Sequence, residues 1–359
     1  MLTEQEKTTL ANTYCPLLVL YPEIEPNSHR KDHHHNGHRK SGLPPLDQDY
    51  HPRGIELALD KAFVHLPGKP EPSRSDILDA MSNNVVNKID LIKDASAGDV
   101  DKFWEEYAAI SENERNNNYP RKAYARVFQG SGLYTNFFVI QYWLAFFFDD
   151  WANTHEMDWE MASVIVKRTG NEERPTGCAY CSHMGAMRLG WSQVEKTDDS
   201  KNLTHHGKHP VVYVANGSHA CYFHYQPIHL SVDSCLGPSL SRRIKKILPW
   251  IAKNYIDYVP EFNEGDKHFP NIEVIPEPCT QMHSSGDTKE HWHDEWRWLN
   301  FEGRWGAKGN FWMHPKQLFT LPWEDDGPTG PTQKGLYWKD PFDSIEYDCY
   351  DAESWVLSH

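Results

Sequence analysis

The stretch FFFDDWANTHEMDWEMASVIV, residues 146–166, decides the fold that we predict for this chain. An apolar strand ends in two aspartates, a short loop follows, and a second strand begins at Asp158. Because side chains alternate along a strand, Asp158 and Glu160 face one side, and Trp159 between them faces the other. If the two strands pair as a hairpin, the acids of both strands meet at one end of it.

Short β-branched or aromatic runs, separated by Gly, Pro, Asn and Asp, continue from this hairpin in both directions. They predict a mainly β protein of the α+β class, an antiparallel β-sandwich with peripheral α-helices. We expect a single domain over residues 1–359. Helical insertions are predicted around 75–107 and around the amphipathic stretch 239–254, and the Pro- and His-rich residues 27–50 indicate a surface loop.

The acids at the hairpin end predict a divalent metal site. Asp158 and Glu160 can be joined there by His155 from the loop and by Asp149 or Asp150 from the first strand. Carboxylate oxygens with one imidazole suit a hard ion, so Mg²⁺ is favoured, with Mn²⁺ and Ca²⁺ as alternatives. The competing interpretation is that these acids lie at exposed strand ends and pair with Lys or Arg, but no basic residue lies among them.

The segment HPVVYVANGSHACYF, residues 209–223, supplies a second site residue. A strand breaks at Asn216-Gly217, and the turn presents His219 at a strand edge. With Asp158, His219 is the candidate catalytic residue, since its ordinary pKa near 6.5 allows general acid or base catalysis. It is also a candidate further ligand, and two histidines with one carboxylate would instead favour iron(II). The alternative is that His219 has only a surface or packing role.

Other clusters are assigned structural roles. Cys178 and Cys181 form a CxxC beside His183, but a second CxxC is missing, so loop thiols are favoured over zinc. The His-rich stretch 29–38 is interpreted as a solvated loop. The tryptophans of residues 291–306 could line a pocket, but filling the core is favoured.

Composition excludes several classes of function. The chain has 36 Lys and Arg against 51 Asp and Glu, a formal charge of −15, which argues against nucleic acid or anionic membrane as partner. Its longest apolar stretch is too short for a transmembrane segment. The first residues lack the pattern of a secretory signal peptide, so a cytoplasmic location is expected.

Four blocks of sequence resemble the family named after vacuolar protein sorting protein 62. They are CPLLVLYPEIEPNS (15–28), IQYWLAFFFDDWANTHEMDWEMASVIV (140–166), HPVVYVANGSHACYF (209–223), and FEGRWG (301–306) followed by GPTGP and YWKDPF. Their order and spread mean that the resemblance covers nearly the whole chain.

The middle block is also similar to the GHRHDWE motif of necrosis- and ethylene-inducing peptide-like proteins. In that family the motif binds a divalent ion in a β-sandwich that recognises sphingolipid sugar headgroups. His155, Asp158 and Glu160 match its first histidine, its aspartate and its glutamate, whereas its glycine, arginine and second histidine are replaced. The resemblance implies a metal site and does not imply toxin activity.

Two functions follow from these residues. The favoured one is a divalent-metal-dependent lyase or hydrolase that acts on a largely apolar substrate with a phosphate, hydroxyl or carbonyl group. FFFDDW is superficially similar to the aspartate-rich motif of class I terpene synthases. Those enzymes are all-helical, so homology to them is not expected. The chemical analogy alone suggests an isoprenoid or lipid-like small molecule as the substrate. The alternative is metal-dependent binding of a lipid or glycan headgroup without catalysis.

Overall fold

The fold is described from a computed structural model, which covers most of the predicted strands. It describes residues 2–23, 50–93, 100–150, 153–170, 172–182, 185–225, 228–230, 255–282, 288–306, 308–311 and 327–342. The prediction of a β-rich α+β fold is confirmed. The predicted loop at 27–50, apart from the buried Tyr50, and the predicted helix at 239–254 lie outside the described residues.

Several of the strands, but not all, follow the apolar runs of the sequence. They are β1 (Leu17–Leu20), β2 (Lys88–Ile89), β3 (Lys122–Gln129), β4 (Phe137–Asp149), β5 (Asn153–Thr169), β6 (Glu172–Ser182), β7 (Gly185–Gly190), β8 (Lys196–Thr197), β9 (His209–Val214), β10 (Cys221–Tyr222), β11 (Ile228–Leu230), β12 (Tyr255–Asp257), β13 (Asp266–His268), β14 (Asn271–Val274), β15 (Cys279–Met282), β16 (Thr288–His291), β17 (Arg304–Trp305) and β18 (Lys308–Phe311).

The helices are short and lie between the strands. They are α1 (Glu4–Thr13), α2 (Glu56–Lys61), α3 (Arg74–Ser82), α4 (Val100–Ala108), α5 (Glu112–Asn118) and α6 (Leu336–Lys339), with 3-10 helices at Gly132–Tyr134, Asp294–Asn300 and Pro331–Gln333. The predicted helical stretch 75–107 is divided, because α3 is followed by Asn84, which has a φ of 51°, and then by β2. None of the described helices combines the length and apolarity needed to cross a membrane.

Two large sheets form the framework among the described strands. One has seven strands in the order β14-β3-β4-β5-β6-β7, with β18 added to β5. The other has five strands in the order β10-β9-β1-β13, with β8 added to β9. The prediction of an antiparallel sandwich is wrong in two places, because β1 runs parallel to β9 and β14 runs parallel to β3.

Alternation along β4 and β5 gives the seven-stranded sheet two apolar faces. Leu144, Phe146, Ala162 and Val164 pack in one cluster with residues of β1, β9 and β10 from the other sheet. This cluster is the interior of the sandwich, and Asp158 lies at its end, on the same face as Phe146.

The opposite face of the sheet is covered by helices and tryptophans. Trp159 stacks on Trp298 with ring centroids 5.4 Å apart and an interplanar angle of 11°, and the fully buried Trp305 meets it edge to face. These side chains belong to a cluster that includes residues of α2, α3 and α4. The tryptophans of residues 291–306 therefore fill the core, as the favoured interpretation has it.

The CxxC cysteines lie within a strand. Cys178 and Cys181 are buried in β6, and they pack in clusters on opposite faces of the sheet. The expectation of loop thiols is therefore wrong, because the strand continues through the motif. His183 lies outside the described residues.

Candidate functional site

The β4–β5 hairpin brings the predicted acids together. Its register pairs Asp149 with His155, Phe146 with Asp158, and Leu144 with Glu160. Because paired residues share a face of the sheet, Asp158 and Glu160 point into the sandwich interior, where Leu144 and Phe146 lie. The expected alternation along this strand is thus present.

His155 is held on both sides of its ring. Its Nε2 lies 3.0 Å from Oδ2 of Asp149, and its Nδ1 lies 2.6 Å from the carbonyl oxygen of Met157, whose φ is 53°. Burial alone would lower the pKa of His155, but the charge of Asp149 and the hydrogen bonds raise it to about 9. Burial also raises the pKa of Asp149, an effect that His155 opposes. The two groups form an ion pair in which Asp149 is buried and His155 is partly exposed, and both imidazole nitrogens are engaged.

His219 joins the second sheet to the first. It lies in the turn between β9 and β10, is fully buried, and has a φ of 53°. Its Nδ1 lies 3.1 Å from Oδ2 of Asp158, and its ring stacks on Phe146 with centroids 3.9 Å apart. Burial would raise the pKa of Asp158, but the hydrogen bond and charge of His219 lower it. The turn therefore places His219 against the opposite sheet, where the ring is buried.

The turn that carries His219 is itself clamped. The Ser218 hydroxyl donates to Oδ1 of Asp257 at 3.0 Å, and the Tyr222 hydroxyl donates to Oδ2 of the same carboxylate at 2.5 Å. Asp257 is fully buried at the end of β12. Asp257 therefore fixes the chain on both sides of His219.

Glu160 differs from Asp149 and Asp158 because no side-chain hydrogen bond of its carboxylate is seen among the described residues. It is 7% exposed, and its Oε2 is buried without a hydrogen-bond partner there. Burial, with the charge of Asp158 as the next cause, raises the pKa of Glu160 well above its ordinary value. A bound cation would favour the ionised form of this carboxylate, whereas burial favours the protonated form.

Lys334 is the residue that sequence reasoning missed. It follows the 3-10 helix Pro331–Gln333, and its charge lowers the pKa of both Asp158 and Glu160. Within the described structure its ammonium group makes no hydrogen bond or ion pair. Lys334 lies between GPTGP and YWKDPF, two blocks quoted above for the family resemblance, so that resemblance was the available signal.

We call Asp149, His155, Asp158, Glu160 and His219 the acidic centre. Electrostatic interactions connect all five groups. Asp150 is connected to this region through its backbone, since its N–H donates to the carbonyl oxygen of Gly217 at 3.2 Å.

The side chains of the acidic centre are arranged as pairs rather than around one point. Among the described residues, a different group of side chains brings three possible ligand atoms within 4.8 Å of one another. This group consists of His51, Asp266 and His268, and the sequence analysis did not find it. The donors of the acidic centre still fit a hard divalent ion in their chemistry, because Glu160 presents an unpartnered buried oxygen beside Asp158. His155 fits less well, since a metal would have to replace one of its two bonds.

Comparison with known proteins gives weak similarity. No family model matches the chain, and no curated protein matches it. Among solved structures, the non-toxic HaNLP3 protein is 14% identical over 59% of this chain and 64% of its own, with a TM-score of 0.24. NLPPya in complex with mannosamine is 12% identical over 60% of this chain and 68% of its own, with a TM-score of 0.29. NLPPya in complex with glucosamine is 14% identical over 60% of this chain and 66% of its own, with a TM-score of 0.24.

The matched part of the chain thus spans less than two thirds of the length of HaNLP3. These neighbours are necrosis- and ethylene-inducing peptide-like proteins, the group whose motif the middle block resembles. With TM-scores below 0.5, the matches establish neither a function nor a ligand for this chain. The resemblance to the vacuolar protein sorting protein 62 family stays a prediction.

Proposed function

We propose that the acidic centre binds a divalent cation and that the chain uses it in a lyase- or hydrolase-type reaction. The substrate is a largely apolar small molecule that carries a phosphate, hydroxyl or carbonyl group. The observation that carries this proposal is the buried Glu160, whose Oε2 has no partner among the described residues, beside the ionised Asp158.

A bound cation is favoured because, without it, Glu160 keeps a buried oxygen that has no hydrogen-bond partner among the described residues. A buried polar oxygen without a hydrogen bond costs about 1–3 kcal/mol, and an isolated buried charge costs more. Glu160 and Asp158 supply hard oxygen donors, for which Mg²⁺ is the favoured ion and Mn²⁺ and Ca²⁺ are alternatives. Asp149 is a further oxygen donor, and the protonated His155 balances its charge in the absence of the ion.

In the proposed reaction, His219 transfers the proton. Asp158 accepts a hydrogen bond from Nδ1 of His219, which orients the ring and makes Nε2 its basic nitrogen. Stacking on Phe146 fixes the plane of the same ring. Near-complete burial of Asp158, Glu160 and His219 excludes bulk water, which strengthens electrostatic interactions at the site. When bound, a divalent ion polarises a substrate oxygen as a Lewis acid.

The second candidate function is cation-dependent binding of a lipid or glycan headgroup without catalysis. The pairing of the imidazoles favours it, because His155 and His219 each already lie against a carboxylate and neither has to change its protonation. Hydroxyl and phosphate oxygens of a headgroup are suitable ligands for a hard ion. Glucosamine and mannosamine are the first probes for this candidate.

Titration calorimetry with Mg²⁺, Mn²⁺ and Ca²⁺ at pH 6 tests the shared step. In buffers of different ionisation enthalpy, the wild type should bind one ion per chain and release protons, because Glu160 has to ionise. Glu160→Gln should bind at least about tenfold more weakly and release fewer protons. Asp340→Asn is the matched control, since this buried carboxylate pairs with Ser131. If Glu160→Gln binds like the wild type, the proposal is wrong.

Mass spectrometry then distinguishes the two functions. The ion-loaded wild type is incubated with a phosphomonoester, an isoprenyl diphosphate, glucosamine or mannosamine. Turnover that is lost in His219→Gln, with cation affinity retained, supports the enzyme. Saturable binding of a probe that is recovered unchanged supports the headgroup binder and contradicts the enzyme.

A further inference from the structure

A cluster of metal-ligating side chains lies at the edge of the five-stranded sheet, apart from the residues of the acidic centre. It consists of His51, Asp266 and His268, and we call it the edge cluster. Asp266 and His268 are alternate residues of β13, the last strand in the order of that sheet, so they share one side of the strand. Oδ2 of Asp266 lies 2.8 Å from Nε2 of His268.

His51 approaches the same place from a different part of the chain. It is fully buried, and its Nε2 lies 2.8 Å from the carbonyl oxygen of Tyr21. Since a carbonyl only accepts, Nε2 carries the proton and Nδ1 carries the lone pair. Nδ1 is buried without a hydrogen-bond partner in the described part of the chain. Burial lowers the pKa of His51 to about 4, which is consistent with a neutral ring.

This arrangement is how proteins prepare a histidine to bind a metal. A ligating imidazole usually donates its second N–H to a carbonyl or carboxylate, which fixes its tautomer and direction. The carbonyl oxygen of Tyr21 accepts such a hydrogen bond from Nε2 of His51. Asp266 and His268 are partly exposed, with 39% and 23% of their side chains accessible, so an ion can reach the cluster from solvent.

We propose that Nδ1 of His51, the imidazole of His268 and the carboxylate of Asp266 bind a divalent transition-metal ion, with Zn²⁺ as the favoured ion. Two nitrogen donors and one carboxylate suit zinc and its neighbours better than Mg²⁺, which prefers oxygen. Three protein ligands leave a further position for water or for a small ligand. The edge cluster and the acidic centre therefore differ in the metal that they select.

Arg121 competes with the ion. Its guanidinium group contacts the ring of His268, and its Nη2 lies 3.8 Å from Oδ2 of Asp266. Arg121 also lies 3.3 Å from Oε2 of Glu23, a buried carboxylate that gives it an alternative partner. A bound ion would repel the guanidinium group and turn it toward Glu23. Removing the charge of Arg121 should therefore strengthen metal binding.

Cobalt(II) absorbance titration tests the proposal on the full chain. The parent protein carries His33→Asn, His34→Asn and His35→Asn, which removes most of the His-rich stretch as a competing site. It should bind one Co²⁺ with visible d–d bands, and Zn²⁺ should displace it. The substitutions follow in three groups, with the metal-free fold of each variant checked by circular dichroism.

Asp266→Asn and His268→Gln should weaken Co²⁺ binding at least about tenfold. Arg121→Gln should strengthen it severalfold, a gain that no unfolded variant would give. His224→Gln is the matched control, because His224 also lies beside a carboxylate, 3.4 Å from Oε1 of Glu195, and it should change nothing. Mg²⁺ binding at the acidic centre should be the same in all four variants.

Two outcomes overturn the proposal. In the first, Asp266→Asn and His268→Gln bind Co²⁺ as the parent does, so the ion lies elsewhere. In the second, Arg121→Gln fails to strengthen binding, so the ion does not approach the guanidinium group. Because the Arg121 arm measures a gain, it decides the question even where a ligand substitution disturbs folding. Neither outcome depends on whether Mg²⁺ binds at Glu160.

Discussion

Replacing Glu160 by glutamine should change how the stability of the cation-free protein depends on pH. The substitution keeps the shape of the side chain and removes the ionisable group. In the folded wild type, burial and the charge of Asp158 raise the pKa of Glu160 well above its ordinary value. The unfolded chain releases this proton near pH 4.3, as a free glutamate does. Above that pH the folded state binds more protons, so the stability of the wild type falls as pH rises.

The size of the effect follows from proton linkage. One retained proton lowers the free energy of unfolding by about 1.4 kcal/mol for each pH unit. Between pH 5.5 and 7.0, the wild type should therefore lose stability relative to Glu160→Gln, with about 2 kcal/mol as the upper limit for one proton. Glutamine brings an amide that is also unpartnered, at a cost of about 1–3 kcal/mol, but this cost is independent of pH. The difference between the two proteins should change with pH, whatever its absolute value.

Urea denaturation followed by tryptophan fluorescence, in the presence of a chelator, measures this difference at several pH values. Asp76→Asn is the control. The pKa of Asp76 is lowered to about 2, chiefly by Lys69 and Ser73, so its effect should stay constant over this range. If the free energies of the wild type and Glu160→Gln run parallel from pH 5.5 to 7.0, Glu160 is ionised in the folded protein and our account of the site is wrong. Added Mg²⁺ at 100 times the Kd of the wild type should stabilise the wild type by about 2.7 kcal/mol and Glu160→Gln by about 1.4 kcal/mol or less.

Three further substitutions test other parts of the structure. The pKa of His155 is raised to about 9 beside Asp149, so the protonated imidazole stabilises the fold fully below pH 6.5 and this effect is lost as pH rises through 9. Over that range, the wild type should lose about 3 kcal/mol of unfolding free energy relative to His155→Gln, as measured by urea denaturation. Trp298→Ala removes the ring stacked on Trp159 and should lower the free energy of unfolding by about 3–5 kcal/mol. Gly306→Ala places a Cβ at a φ of 89° and against a side chain of β5, so it should lower the melting temperature strongly.

These predictions have their own controls. Equal effects of His155→Gln at pH 6.5 and pH 9 would contradict the assigned ion pair. Trp191→Ala, at a half-buried tryptophan, should cost less than Trp298→Ala, and the reverse order would contradict the core assignment. Gly170→Ala has a φ of 63° with open space around the Cβ. It separates backbone strain from collision, and an effect as large as that of Gly306→Ala would argue against collision.

Local periodicity predicted the parts of the fold that depend on neighbouring residues. The alternation around Trp159 places it in one apolar cluster and Asp158 on the opposite face, as the strand pattern requires. The break at Gly217 located the turn that carries His219. These features are determined within about ten residues of sequence, so they can be read from the chain directly.

Features that join distant segments could not be predicted in this way. His51 meets His268 across more than two hundred residues, and Lys334 reaches Asp158 from the far end of the described chain. No local pattern determines which segments of a sandwich lie together. The partners of His155 were also unpredictable, because they depend on the φ of Met157 and on side-chain packing rather than on residue type.

The parallel pairing of β1 with β9 has a consequence for synthesis of the chain. Leu17, Leu18 and Val19 pair with Val211, Val212 and Tyr213, so a fully buried apolar strand meets its neighbour only after about 190 further residues have been made. At about 5–20 residues per second, that interval is roughly 10–40 seconds on the ribosome. During this time the strand presents an unpaired edge to the cell, which makes the nascent chain a natural client for molecular chaperones.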